Sequence, residues 1–317
     1  MREVIAALRA AKTVVMSLHR QPDGDSIGST AAIALALRRL GKDVTLVTPD
    51  PVPKVYDLVP TYQEFVPWES VAERRFDLVA MFDCADERRT GAPSDLTSYG
   101  ARVLNVDHHA TNTCFGDVVF IDPQAAASAE IAARVIDQLG VTIDREIALA
   151  LYVGLETDTG GFRYAATTPD SHRLAARLLD AGLEPGEISQ ALYERQAVSG
   201  LRLLGAALQS LQVREDLSLA YVVLSAADFA RSGAAAADVE TLGVVDYARR
   251  VDGIEVGALL REEGPGQVKL SLRSKGLVDV ARLAASLGGG GHERAAGATL
   301  AMSLQEAEAT LLSLLRP

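Results

Sequence analysis

The stretch Val103-Leu104-Asn105-Val106-Asp107-His108-His109 joins a short apolar run to one acidic and two imidazole side chains. Residues 103–106 predict a buried β-strand, because short apolar runs are typical of strands covered on both faces. Asp107 follows at the carboxyl end of that strand. Open α/β sheets bind ligands at this edge. The stretch therefore predicts both a parallel sheet and a functional site beside it.

Further apolar runs at residues 13–18, 43–47 and 77–82 predict neighbouring strands. Residues 30–40, rich in Ala and Leu and closed by Gly41, predict a helix between the first two strands. This β-loop-α-β order is typical of a parallel sheet with helices on its faces.

After residue 211 the pattern changes to two predicted β-hairpins, 211–214 with 219–224 and 253–260 with 267–273. The predicted fold class is α/β: an N-terminal parallel-sheet domain with flanking helices, joined by a helical linker to a smaller α+β substrate-binding domain. The predicted limits are 1–190 for the first domain, 191–211 for the linker and 212–317 for the second domain.

Composition and charge narrow the range of possible functions. The net charge of −11 argues against a protein that coats long nucleic acid, but it permits a short phosphate-bearing substrate held by a few local cations. Two cysteines, Cys84 and Cys114, are too few for a disulfide framework. No apolar run approaches the roughly 20 residues of a membrane span. Residues 1–9 predict an amphipathic helix rather than a secretory signal, so a cytoplasmic protein is expected.

Acidic and imidazole side chains cluster at or after the predicted strands and predict a two-metal site. The predicted ligands are His19, Asp23, Asp25, Asp83, His108 and Asp158. His19 and Asp23 would bind one ion, and Asp25 the other. His108 and Asp158 would complete the second position, and Asp83 would bridge both. Four carboxylates balance two dications, so the site would still accept an anionic phosphate. Nitrogen and oxygen ligands without thiolates suit Mn²⁺, and also Mg²⁺, Co²⁺ or Zn²⁺.

A lone Asp after a strand is more often a helix cap or a turn residue, and a lone His is more often an ordinary surface or core residue. That alternative weakens here because three of the five histidines, His19, His108 and His109, fall in these clusters.

The run Gly288-Gly289-Gly290-Gly291-His292 predicts a loop whose backbone N–H groups could cradle a phosphate or a nucleotide. Arg273 and Lys275, at the end of the preceding strand, could reach the same anion. A flexible helix end with a solvated histidine is the alternative for a glycine run by itself.

Together these motifs resemble the DHH phosphoesterase superfamily. The matching positions are His19-x-x-x-Asp23-x-Asp25, Asp83, Asp107-His108-His109 and Asp158. The glycine run with His292, followed by Ala295-Ala296-Gly297, is similar to the GGGH signature of the DHH-associated domain. The size and two-domain layout are most similar to the NrnA-like oligoribonucleases and pAp phosphatases, or nanoRNases.

The resemblance implies two metal ions, most often Mn²⁺, on the ligand set given above. Asp107 would orient His108 through a hydrogen bond, and His109 would face the scissile phosphate. The terminal nucleotide would be held by Arg273, Ser274, Gly289, Gly290, Gly291 and His292. The implied activity is hydrolysis of very short RNA to mononucleotides, with removal of the 3′-phosphate of pAp.

Several alternatives stay open at this stage. They are hydrolysis of linear or cyclic dinucleotides such as pGpG or c-di-AMP, a RecJ-type exonuclease, an inorganic pyrophosphatase and a catalytically silent nucleotide sensor. The pyrophosphatase should lack the 288–292 glycine-histidine signature, and the RecJ type should need a further nucleic-acid-binding domain. A homodimer is compatible with the sequence, and no membrane partner is expected.

Overall fold

The computed structural model describes residues 1–236, 239 and 242–315, apart from the side chain of His292. The chain divides into two compact units, Met1–Arg195 and Gln196–Pro317. Among the described residues, no helix is both long and apolar enough to cross a membrane.

The first unit is built on a six-stranded sheet with the order β3-β2-β1-β4-β5-β6. Every neighbouring pair of strands is parallel. The strands are β1 Thr13–Ser17, β2 Asp43–Thr48, β3 Val66–Pro67, β4 Leu78–Phe82, β5 Val103–Asp107 and β6 Val118–Ile121. The predicted parallel sheet is confirmed, and β3 and β6 add an edge strand on either side.

Six helices accompany this sheet: α1 Arg2–Ala10, α2 Gly24–Arg39, α3 Ser128–Leu139, α4 Arg145–Asp158, α5 Pro169–Leu179 and α6 Pro185–Tyr193. Helix α2 is buried from Gly24 to Leu37 and begins six residues earlier than predicted. A Cβ atom on Gly28 would lie 2.3 Å from the carbonyl oxygen of Ala150 in α4. Glycine therefore lets α2 and α4 pack backbone to backbone, which brings the first turn of α2 near the end of α4.

The second unit has a mixed sheet with the order β11-β12-β10-β9-β8-β7. Its strands are β7 Gln212–Arg214, β8 Leu219–Leu224, β9 Val256–Gly264, β10 Gln267–Ser274, β11 Gly290–His292 and β12 Ala295–Leu300. Of these six strands, only β8 and β9 pair in parallel. Both predicted hairpins are present, as the antiparallel pairs β7–β8 and β9–β10.

The described helices of the second unit are α7 Val198–Gln209, α8 Ala226–Ser232, α9 Val244–Arg249, α10 Val280–Ser286 and α11 Leu304–Leu314. Helix α7 lies within the segment predicted to be a linker. Its Leu203 and Ala207 are fully buried with Ala220 and Val222 of β8, so this helix contributes to the core of the second unit. The predicted domain limits, 1–190 and 212–317, stay a prediction.

The glycine run is not the open loop that the sequence suggested. Gly290 and Gly291 form strand β11 with His292 and pair with β12. A Cβ on Gly289 would lie 2.1 Å from the carbonyl oxygen of Gly297, and one on Gly291 would lie 2.5 Å from that of Ala295. These glycines therefore allow two backbones to approach more closely than side chains would permit.

Candidate metal centre

The strand order places the predicted ligands at one edge of the sheet. β1, β4 and β5 are adjacent, so their carboxyl ends lie side by side. His19 lies two residues past β1, Asp83 directly follows β4, and Asp107 ends β5. Asp83 has φ +63°, a left-handed conformation that is uncommon outside glycine. Strained conformations of this kind cluster at functional sites.

A first cluster joins His19, Asp23 and Asp83. The Nε2 atom of His19 lies 3.5 Å from Asp23 Oδ2 and 3.5 Å from Asp83 Oδ2. The imidazole is buried, and Nε2 makes no hydrogen bond. Its Nδ1 lies 2.9 Å from the carbonyl oxygen of Arg20 and 3.1 Å from Arg89 Nη2. In the tautomer with the proton on Nδ1, Nδ1–H donates to the Arg20 carbonyl and Nε2 carries the lone pair that a cation needs. A buried nitrogen that faces two carboxylates without a hydrogen bond fits a cation ligand.

Asp23 is also a helix cap, the alternative role that the sequence suggested for an Asp after a strand. Its Oδ1 accepts a hydrogen bond of 3.0 Å from the backbone N–H of Ser26 and caps α2. The other oxygen, Oδ2, is the one that faces His19. One carboxylate can therefore cap the helix and bind a metal, because its two oxygens point to different partners.

A second cluster joins Asp25, His108 and Asp158, whose ligand atoms all lie within 4.8 Å of one another. His108 Nε2 lies 3.4 Å from Asp158 Oδ2 and 4.0 Å from Asp25 Oδ2. The same nitrogen lies 3.6 Å from Asp83 Oδ1. The two oxygens of Asp83 therefore face different clusters, as a ligand shared by two ions requires.

The pKa values of the clustered side chains are shifted by burial and by the charges of neighbouring carboxylates. Burial raises the pKa of Asp25 well above its usual range, and the charges of Asp83 and Asp158 add to the shift. Burial likewise raises the pKa of Asp158 to about 7, although the nearby His108 opposes that shift. Burial by itself would lower the pKa of His19, but Asp23 and Asp83 raise it to about 10. Divalent cations would offset this repulsion, so the donor set fits one or more metal ions.

Asp107 orients His109 rather than the ring of His108. Its Oδ1 lies 2.7 Å from His109 Nδ1 and accepts a 2.8 Å hydrogen bond from the backbone N–H of His108. The ring of His108 instead contacts the carbonyl oxygen of Ala125 through Nδ1, at 3.3 Å. The predicted hydrogen bond between Asp107 and His108 therefore involves the backbone N–H of His108, whereas the ring of His108 is oriented by the carbonyl group of Ala125.

Sequence reasoning missed Asn112, whose side-chain amide donates to Asp107 Oδ2 at 2.6 Å and to the carbonyl oxygen of Cys84 at 3.1 Å. No motif spacing pointed to it, because the contact depends on how the loop after β5 folds back.

The predicted nucleotide-holding residues belong to the second unit. Arg273 lies in β10 and donates to the carbonyl oxygen of Leu272 at 3.0 Å. Ser274 is buried, and its hydroxyl donates to Glu255 at 2.9 Å and accepts from the backbone N–H of Gly276 at 2.9 Å, so its proton is already engaged within the second unit. The side chain of His292 lies outside the described residues. The roles of these three residues stay predictions.

Two family models match the chain. The DHH family N-terminal domain matches residues 13–155, and the DHHA1 domain matches residues 218–316. A parallel sheet with acids and imidazoles at its carboxyl edge, followed by this second domain, defines a two-domain hydrolase of phosphate esters. The chain belongs to the DHH phosphoesterase family, in the group of the NrnA proteins.

The relatives support this membership over the whole length. The bifunctional oligoribonuclease and PAP phosphatase NrnA of Thermus thermophilus is 35% identical and covers 100% of this chain and 93% of its own length. The protein of the same name from Bacillus subtilis is 27% identical, with coverage of 98% and 96%. A solved exopolyphosphatase-related protein from Bacteroides fragilis aligns with a TM-score of 0.92 and 26% identity, covering 99% of this chain and 94% of that one.

Proposed function

We propose that this protein is a metal-dependent phosphodiesterase that hydrolyses very short oligoribonucleotides to mononucleotides and removes the 3′-phosphate of pAp. The observation that carries the proposal is the position of Asp83, whose two oxygens lie 3.5 Å from His19 Nε2 and 3.6 Å from His108 Nε2. The full-length similarity to an oligoribonuclease and PAP phosphatase supports the substrate class.

Two Mn²⁺ ions are the proposed cofactors, with Mg²⁺ or Co²⁺ as substitutes. His19 and Asp23 would bind one ion. Asp25, His108 and Asp158 would bind the other, and Asp83 would bind both. When bound, such a pair supplies an activated water and stabilises the attacking and leaving oxygens of an in-line displacement.

His109 would contact the reacting phosphate. Its Nδ1 is held by Asp107. Burial by itself would lower the pKa of His109, but Asp107 and Asp83 raise it to about 9, so the ring would be protonated and Nε2 would donate to a phosphate oxygen. Asp107 is fully buried and touches no solvent, so it acts by fixing the ring. The pair would stabilise charge on the phosphate without a covalent intermediate on the protein.

A short substrate agrees with the charge of the chain. A net charge of −11 favours a substrate gripped by a few local groups over a long nucleic acid. Arg273, Ser274, His292 and the glycines Gly289–Gly291 would hold the terminal nucleotide. His292→Ala should then raise KM for short RNA more than for a generic phosphodiester, and equal effects on both substrates would argue against this grip. A homodimer stays a prediction.

Asp83→Ala tests the metal assignment. The variant should lose measurable hydrolysis of a dinucleotide in the presence of Mn²⁺. Asp77→Asn is the control. Asp77 directly precedes β4, at the end of the strand opposite to Asp83, and its carboxylate accepts hydrogen bonds from the backbone N–H groups of Lys12 and Thr13. Wild-type turnover in the Asp83 variant would contradict the proposal.

A substrate panel separates the alternatives. Time-resolved product analysis would use RNA and DNA of two to ten nucleotides, pAp and cyclic dinucleotides, with Mn²⁺ and with chelator. We expect short RNA and pAp to be consumed only with metal. A strong preference for cyclic dinucleotides would favour that alternative, and binding without turnover would favour a sensor.

A further inference from the structure

Helix α3 is capped by a residue far away in the sequence. Its own N-cap residue, Ala127, has no side chain able to accept a hydrogen bond. The backbone N–H groups of Ser128 and Ala129 instead donate to the carboxylate oxygens of Asp25, at 2.5 Å and 2.9 Å. The positive end of the helix thus faces a buried carboxylate that belongs to the candidate metal centre.

Ser128 makes a second contact, with its side chain. Its hydroxyl donates to Asp83 Oδ1 at 3.1 Å, and Ser128 itself is fully buried. One residue therefore touches Asp83, which faces both clusters, and Asp25, which belongs to the second cluster.

The geometry points to a specific role, which rests on the proposed metal centre: we propose that Ser128 is a positioning residue that fixes Asp25 and Asp83 in their metal-binding orientation. A carboxylate without such a donor can rotate about its Cβ–Cγ bond. The hydroxyl holds Oδ1 of Asp83, and this places Oδ2 at 3.5 Å from His19 Nε2. The backbone N–H similarly holds Oδ2 of Asp25.

The N–H and hydroxyl groups of Ser128 also reduce the repulsion between the ionised carboxylates of Asp25 and Asp83. Hydrogen bonds to the ionised form of a carboxyl favour that form. Asp25 and Asp83 must both be ionised to bind a metal, and each receives a hydrogen bond from Ser128. Removal of the hydroxyl should weaken metal binding while leaving the backbone contact to Asp25 in place.

Ser128→Ala tests the role through Mn²⁺ affinity, measured by calorimetry and by the EPR signal of free Mn²⁺. We expect a Kd about 10- to 100-fold higher than that of the wild type, the usual effect of losing a hydrogen bond to a metal ligand. Ser128→Thr, which keeps a hydroxyl, should recover part of the affinity.

Ser29→Ala is the matched control. Ser29 is also fully buried, but its hydroxyl donates to the backbone carbonyl of Asp25, at 2.6 Å, and not to a carboxylate. Its Mn²⁺ affinity should stay at the wild-type value. Unchanged affinity in Ser128→Ala, or equal losses in both variants, would overturn the proposal. A wild-type protein that binds no Mn²⁺ would overturn the metal centre itself, and with it this role.

Discussion

The ring of His109 is hydrogen-bonded to Asp107, two residues earlier in the chain, with Nδ1 and Oδ1 2.7 Å apart. Asp107 ends strand β5 and is fully buried. The rigid strand therefore sets the direction of an imidazole that is itself partly exposed to solvent. This pairing explains how a side chain in a loop can be held in one orientation toward a substrate.

Asp107→Asn should lower kcat for a dinucleotide by about 100-fold, in the range usual for losing a positioned proton-transfer or charge-stabilising group. KM and Mn²⁺ affinity should change much less, because the variant alters the direction of His109. Steady-state kinetics with calorimetry would measure both. Asp117→Asn is the control, since Asp117 binds the backbone of Val103 at the other end of β5. An unchanged kcat would refute the role.

Mn²⁺ should stabilise the protein against heat. An ion that binds only the folded state at 100 times its Kd contributes about 2.7 kcal/mol. A shift of several degrees in Tm between Mn²⁺ and EDTA is therefore expected by calorimetry. The Asp83→Ala variant should show little of this shift, and a shift of equal size in that variant would argue against the ligand set.

Gly289→Ala should destabilise the second unit by about 1–3 kcal/mol, because the new Cβ would lie 2.1 Å from the carbonyl oxygen of Gly297. Gly290→Ala is the control, since a Cβ there meets nothing within 4 Å and its φ is not positive. Urea unfolding measures both variants. Equal stability of the two would show that Gly289 does not approach the backbone of Gly297 as described.

Glu255→Gln should destabilise the protein in a pH-dependent way. Burial by itself would raise the pKa of Glu255, but the Ser274 hydroxyl and the backbone N–H groups of residues 276–278 lower it below its usual value. A carboxyl with a lowered folded-state pKa stabilises the fold above its unfolded pKa, and this contribution is lost as the pH falls through the folded value. Because the group is only partly buried, we expect a difference of about 1 kcal/mol at pH 7.

Urea unfolding at pH 7 and near pH 3 would measure this difference. The gap between wild type and variant should shrink at the lower pH. A gap that is the same at both values would mean that the charge of Glu255 contributes nothing.

The sequence by itself determined the parallel sheet, both hairpins and the positions of His19, Asp83 and Asp107 at strand ends. These features follow from local chemistry: apolar runs form strands, and parallel strands share one carboxyl edge. The sequence could not show that β1, β4 and β5 are adjacent, nor that the glycine run forms a strand. Both depend on pairing between segments that are distant in the chain.

Only the tertiary structure decided which side chains support the site. Asp25 caps a helix 103 residues away, Ser128 reaches Asp83 across 45 residues, and Asn112 holds Asp107 through a folded loop. None of these contacts leaves a periodic pattern or a fixed spacing in the sequence. They arise when α2, α3 and β4 pack together, since buried carboxylates then take hydrogen bonds from whichever donors the packing brings within reach.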